Sequence, residues 1–259
     1  MISSLEYHIT NHCNLNCAGC SHFSPLCAAW TETFDEFKAD WDKIYEKGLK
    51  IGRIRILGGE PLLNPALGRM LKYIRGLFSE SDINVVTNGI LLGQRKVELL
   101  PIFIGSNISL TVSIYPGLKI DYREVLKGFP LVEVYDKAGF WNISLHTERD
   151  YDEKQAFYNC FSGSIAKCNF YKEGRLYPCC VIPNLPHFVG FFTKELKDTE
   201  LGKVNVEECG ITVEDHTVEE IEKFLSSPNP MCAFCNVVRA KEGRPWRQSG
   251  YNIKEWLDR

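Results

Sequence analysis

The chain has 259 residues, 44% hydrophobic and 24% charged, with a formal net charge of −3. That composition suits a globular protein of one large domain, or one domain with a small appendage. It excludes a basic nucleic-acid binder; no apolar run reaches the ~20 residues that span a bilayer, and "MISSLEYHIT" is no signal peptide, so the expectation is a cytoplasmic protein.

In chain order, "LEYHIT" (5–10) reads as a strand and leads into a loop holding Cys13, Cys17, Cys20 and Cys27. Thr33 and Glu36 form a capping box, and Phe34, Phe37, Trp41, Ile44 and Tyr45 then recur at helical spacing up to Gly48. "RIRIL" (53–57) alternates like a strand and ends in "GGEP" (58–61). Asn64 before Pro65 starts a helix whose stripe is Leu67, Met70, Leu71, Ile74, Leu77 and Phe78. "INVVTNG" (83–89) is a buried strand and turn, and "NISLTVSIY" (107–115) alternates strictly. "YREVLKG" (122–128) is a short helix, and "LVEVY" (131–135) and "NISLH" (142–146) are further strands.

Strands alternating with helices imply parallel pairing with helices outside. Five or six strands are too few for a full eight-fold barrel of ~250 residues, so an open, partial TIM-type barrel is expected over residues 1–150. Beyond it, "KCNFYKEGRLYPCCV" (167–181) reads as a hairpin turning at "KEG". A loop with Pro183 and Pro186 follows. Thr217 and Glu220 cap a helix with Val218, Ile221, Phe224 and Leu225 on one stripe, and "MCAFC" (231–235) supplies a last cysteine pair. Residues 151–259 make a second, smaller domain.

Eleven cysteines point to metal or redox chemistry, because disulfides are disfavoured in the cytoplasm. Cys13, Cys17 and Cys20, in C-x3-C-x2-C spacing, reach three corners of one small cluster. By residues alone the site is open to zinc or to a [4Fe–4S] cluster completed by Cys27. "GGEP" stands where active sites of barrel-type folds gather, and its glycines permit close backbone approach. By itself it is an ordinary turn with a surface glutamate.

Together, the cysteine triplet after the first strand and GGEP after the second resemble the radical S-adenosylmethionine (SAM) superfamily, over residues 5–146. The resemblance implies that Cys13, Cys17 and Cys20 hold a [4Fe–4S] cluster whose fourth iron takes SAM. Gly58, Gly59 and Glu60 would then hold the SAM amino group, and Thr87, Asn88 and Ser113 match positions that contact its ribose and methionine parts. The position before the third cysteine, often aromatic in the family, is Gly19, which leaves His22 or Phe23 to cover the adenine. Cys27 is then a spare thiol.

The later cysteines resemble the Twitch type of C-terminal extension, a shortened relative of the SPASM extension, which carries an auxiliary [4Fe–4S] cluster. By that resemblance Cys168, Cys179, Cys232 and Cys235 are the first-choice ligands, and Cys160 replaces or supplements one of them. The residues alone leave a structural zinc open. Cys180 points away and Cys209 is a free thiol.

The implied chemistry is reductive cleavage of SAM to a 5′-deoxyadenosyl radical, which abstracts a substrate hydrogen atom. The expected partners are a small substrate or a peptide and an electron donor such as flavodoxin or ferredoxin, with no nucleic acid and no membrane. Glu6, His8 and Thr10 share one strand face, as do Asn142, Ser144 and His146; His8 and His146 are the candidate proton acceptors. Trp246 is read as a core or rim residue. Only twelve residues precede Cys13, so the expectation is no N-terminal leader-peptide-binding domain unless another chain supplies it, which favours a small, hydroxyl-rich substrate. The first expectation is two-electron oxidation of a carbohydrate or cyclitol-type alcohol. The alternatives are radical modification of a peptide (thioether formation, crosslinking or epimerisation) and, from another class, a non-catalytic electron-transfer or zinc-binding protein.

Overall fold

The structure, a computed structural model, describes residues 1–136, the backbone of 139–140, and 143–258. It divides into two compact units, Met1–Leu15 with Ala29–Ala138, and Asn16–Ala28 with Gly139–Arg259. The division falls before residue 150, and the segment 16–28 belongs to the second unit rather than the first.

In the first unit β1 (Ile2–His8), α1 (Phe34–Glu46), β2 (Ile51–Leu57), α2 (Leu67–Leu77), β3 (Asp82–Thr87), α3 (Leu92–Gly105), β4 (Ile108–Ile114), α4 (Tyr122–Leu126) and β5 (Val132–Asp136) follow one another. The strands pair in parallel in chain order, from β1 to β5. This is the α/β, open partial-barrel architecture expected from the strand and helix alternation. Helix α1 starts where Thr33 and Glu36 close their capping box, and α2 buries Leu67, Met70, Leu71 and Ile74. Those stripes cover one sheet face, where Ile54, Ile56, Ile83, Val85, Ile108, Leu110 and Val112 are fully buried.

The opposite strand positions are polar and mostly satisfy one another. Arg55 pairs with Glu6 at 2.9 Å; Asn84 donates to Ser109 at 2.9 Å, and Thr111 donates to Asn84 at 3.1 Å. Helix α3 lies in a stretch without an expected element and carries Pro101 inside.

The second unit holds α5 (Glu153–Asn159) and a sheet of β7 (Cys168–Lys172), β8 (Arg175–Tyr177) and β9 (Ile211–Thr212), all antiparallel. A separate ribbon pairs β6 (Gly139–Phe140) with β10 (Arg244–Pro245). The expected hairpin at "KEG" is there. The expected loop at Pro183 and Pro186 is instead α6 (Val181–Phe191). Pro183 falls in its first turn, where a missing N–H costs nothing. Helices α7 (Thr193–Leu196), α8 (Val218–Leu225) and α9 (Val237–Glu242) complete the unit. Its core gathers Phe23, Phe188, Phe234 and Trp256. Of the expected strand 142–146, Asn142 lies outside the described residues, and Leu145 forms only isolated bridges, to Cys235 and Leu257. Among the described residues no helix is long and apolar enough to cross a membrane.

Candidate functional site

The GGEP loop is built against the chain that leaves β1. Gly59 N–H donates to Thr10 O and Glu60 N–H to His12 O, both at 2.8 Å. A Cβ on Gly59 would stand 2.2 Å from His12 O, and Gly58 has φ +155°, so both positions demand glycine. The backbone of GGEP is therefore fastened one residue ahead of Cys13.

Glu60 is 1% exposed. Its carboxylate accepts from Thr87 Oγ1 at 2.6 Å, Asn88 N–H at 2.9 Å and Leu62 N–H at 3.0 Å. Burial pushes its carboxyl up to about 7, against the opposing pull of those three donors. Asn88 Nδ2 reaches Asn14 Oδ1 at 2.7 Å and Cys13 Sγ at 4.0 Å. "VTNG" and GGEP thus brace one another and return to the first cysteine. Thr87, Asn88 and Ser113 are all buried.

Cys13 belongs to the first unit; Cys17 and Cys20 belong to the second. Each of the three sulfurs sits among hydrogen-bond donors. Leu15 N–H donates to Cys13 Sγ at 3.3 Å, and the Trp246 indole N–H donates to Cys17 Sγ at 3.1 Å. Burial pushes the Cys20 thiol up, opposed by hydrogen bonds from Ser24, His22 and Phe23. Donors aimed at sulfur suit thiolates that carry a metal cluster. Cys27 differs: its thiol donates to Phe23 O at 3.2 Å and is pushed up to about 12, first by burial and then by Cys20. Burial thus favours the protonated form of this thiol. Phe23 is fully buried and stacks on Phe188 with centroids 5.2 Å apart, so it is a core residue and not an adenine cover. His22 lies tilted by 46° against Phe170, with ring centroids 6.5 Å apart.

In the second unit Cys160, Cys179, Cys232 and Cys235 line one pocket of about 40 Å³, with Phe157, Val181 and Met231 among its walls. Cys160 caps the end of α5 and accepts from Gly163 N–H at 3.4 Å; Cys179 accepts from Val181 N–H at 3.3 Å. Cys232 rides on the turn Pro230–Phe234, which Asn229 caps at its start and Cys235 at its end. Burial pushes Cys232 up to about 12 and Cys235 well above its ordinary value, and each is raised further by the other three thiols or some of them. Four thiols that cannot all ionise alone therefore share this pocket, and a bound cation's positive charge would reverse that penalty. Cys160, and not Cys168, joins the other three; Cys168 opens β7 and lines neither this pocket nor the next. Cys180 and Cys209 are buried, and Cys180 lines the neighbouring pocket.

That second pocket, about 150 Å³, shares Cys160, Cys179 and Cys235 and adds Ser21, Ser144, Ser162, Asn236 and Lys241. Ser144 Oγ is buried without a hydrogen-bond partner. Of these residues only Ser144 was singled out from sequence; the others carry no motif. The two candidate histidines are elsewhere. His8 is buried at the end of β1 in the first unit, and His146 holds Asp150 at 2.5 Å through Nδ1 and lines neither pocket.

Residues 7–128 match the family model described as the radical SAM superfamily. The chain is 32% identical over 94 residues to the antilisterial bacteriocin subtilosin biosynthesis protein AlbA of Bacillus subtilis (strain 168), covering 36% of this chain and 20% of that protein. It is 30% identical over 143 residues to the GTP 3′,8-cyclase of Alkaliphilus oremlandii (strain OhILAs), covering 52% and 42%. The chain thus spans well under half the length of these curated relatives. A crystal structure of BtrN in complex with AdoMet and 2-DOIA superposes with TM-score 0.57 at 17% identity, over 91% of this chain and 93% of that one. That likeness speaks to fold.

Proposed function

With a radical SAM superfamily domain over residues 7–128, we propose that the chain is a radical SAM oxidoreductase that removes two electrons from an alcohol carbon of a carbohydrate or cyclitol-type substrate. Cys13, Cys17 and Cys20 hold the first [4Fe–4S] cluster. Gly58, Gly59 and Glu60, with Thr87, Asn88 and Ser113, hold SAM; a carboxylate has about four acceptor positions, so Glu60 keeps one for an ammonium N–H beyond its three donors. When bound there, cluster and SAM supply one-electron reduction and hydrogen-atom abstraction. The second, Twitch-like cluster belongs on Cys160, Cys179, Cys232 and Cys235 and supplies an electron acceptor.

One observation carries the reading: the pocket that shares three of those four thiols also carries Ser21, which follows Cys20 directly in the chain. A substrate in that pocket lies beside the thiol centre. Ser144 and Ser162 offer hydroxyls to it, and Ser144 has its hydrogen bond unmet. Lys241 supplies one positive charge, and Phe161, Val181 and Ile143 exclude water from the walls. About 150 Å³, at ~30 Å³ per water, is room for roughly five waters, which suits a small polyol better than a peptide segment. Peptide modification is the second reading, drawn from the 32% identity to the subtilosin protein.

Anaerobic reconstitution of the full chain should yield about eight irons, two clusters of four. Cys160→Ala should lose about half of them, and Cys168→Ala should lose none. Reductant and SAM should then release 5′-deoxyadenosine, faster with a polyol substrate than without. Bound zinc in place of iron, or intact clusters without SAM cleavage, would sink the reading.

A further inference from the structure

Beyond β10 the chain runs against the segment that carries Cys17. Ala18 N–H donates to Arg247 O at 3.0 Å, Ser249 N–H donates to Asn16 O at 2.6 Å, and Gln248 forms an antiparallel bridge with Cys17. Glu255, 3% exposed, braces this run. It accepts from Arg247 Nη1 at 2.9 Å, Ser249 Oγ at 2.5 Å and Gly250 N–H at 2.8 Å. The short ladder delivers the Trp246 indole N–H to Cys17 Sγ at 3.1 Å, from 229 residues away in sequence. The ring is half-buried, so it is not a core tryptophan; its single donor faces a sulfur that is 7% exposed.

We propose that Trp246 is a positioning residue whose indole N–H, held on the Cys17 sulfur, raises the reduction potential of the iron–sulfur cluster that Cys17 carries, an inference that rests on the function proposed above. A hydrogen bond to a ligating sulfur spreads negative charge from the cluster onto the donor. The reduced cluster holds one electron more than the oxidised one, so the bond is stronger in the reduced state. Reduction is thereby favoured, and the entry of the electron that SAM cleavage requires becomes easier. A tryptophan that only filled space would leave that equilibrium alone.

The test is a redox titration of the reconstituted full chain, followed by electron paramagnetic resonance. The signal that changes on adding SAM identifies the first cluster. Trp246→Phe keeps a ring of similar bulk and loses the donor. The expected result is about a tenfold less favourable reduction, ~59 mV more negative for a one-electron couple, with iron content unchanged. An unshifted potential in Trp246→Phe overturns the proposal. If Trp246→Phe loses iron, Trp246→His decides. Its ring N–H should restore both iron and potential, and a histidine variant as defective as the phenylalanine one overturns the proposal too. Failure of the functional reading looks different, because the wild type would then show no SAM-sensitive signal at all.

Discussion

Glu60 is an ionisable group with almost no access to water, and its pH behaviour follows from that. Burial holds its carboxyl at about 7, above the ordinary 4.5, so folding favours the protonated form. The associated stability is complete below pH 4.5 and is lost as pH rises through about 7. Glu60→Gln cannot titrate. Its stability should fall less than that of the wild type between those two pH values, by at most about 3 kcal/mol, measured by urea unfolding at each pH. Glu32, pushed up to about 8 by burial, titrates in both proteins and cancels from the difference. At pH 8 the glutamine has a second consequence. One of its terminal atoms is now a donor, so one of the Thr87, Asn88 and Leu62 donors loses its acceptor. SAM binding to the variant should weaken by about tenfold, within the ~1–3 kcal/mol range for an orphaned buried partner, measured by calorimetric titration.

Among the elements, the GGEP loop is the one least tolerant of change. Gly59→Ala would press a methyl against the His12 carbonyl, which is backbone and cannot rotate away. The bonds from Gly59 to Thr10 and from Glu60 to His12 must break or stretch. We expect a loss of about 3 kcal/mol and failed iron uptake at the first motif. Gly76→Ala, in the exposed part of α2 with open space around it, is the control. It should stabilise the chain by about 0.5 to 1 kcal/mol.

Elements with a clean hydrophobic period or a capping box were readable from sequence, as α1, α2, α8 and β4 illustrate. Helices α3 and α6 were not, because Pro101, Pro183 and Pro186 argue locally against helix. Tertiary burial overrides that argument: Leu99 and Phe103 on α3, and Leu185 and Phe188 on α6, are buried to 1% exposure or less. The thiol pocket shows the same limit. Spacing offers both Cys160 and Cys168, and it cannot register that Cys160 caps α5, accepts from Gly163 N–H and lines the pocket of Cys179, Cys232 and Cys235.

At the scale of the whole molecule, the four pocket thiols are drawn from three separate stretches of the second unit, 75 residues apart at the extremes. A metal centre on them would hold those stretches together, and its binding energy would be folding energy. Anaerobic chelation should therefore lower the melting temperature of the second unit by about 10 °C, seen by scanning calorimetry of the loaded and stripped chain. The discontinuous make-up of both units could not be read from sequence. The segment 16–28 carries no break in composition at either end, and only long-range partners such as Arg247 and Trp256 tie it to the later half.

That tie has a consequence for timing. Trp246 donates to Cys17 and Trp256 to the Cys20 carbonyl, across 229 and 236 residues. At a synthesis rate of about 5–20 residues per second, roughly 11 to 47 s separate the emergence of the cysteines from that of the indoles. During that interval the nascent motif lacks both donors. Its surroundings are completed only once residues 246–256 have been translated, so maturation of the first motif waits on the later part of the second unit.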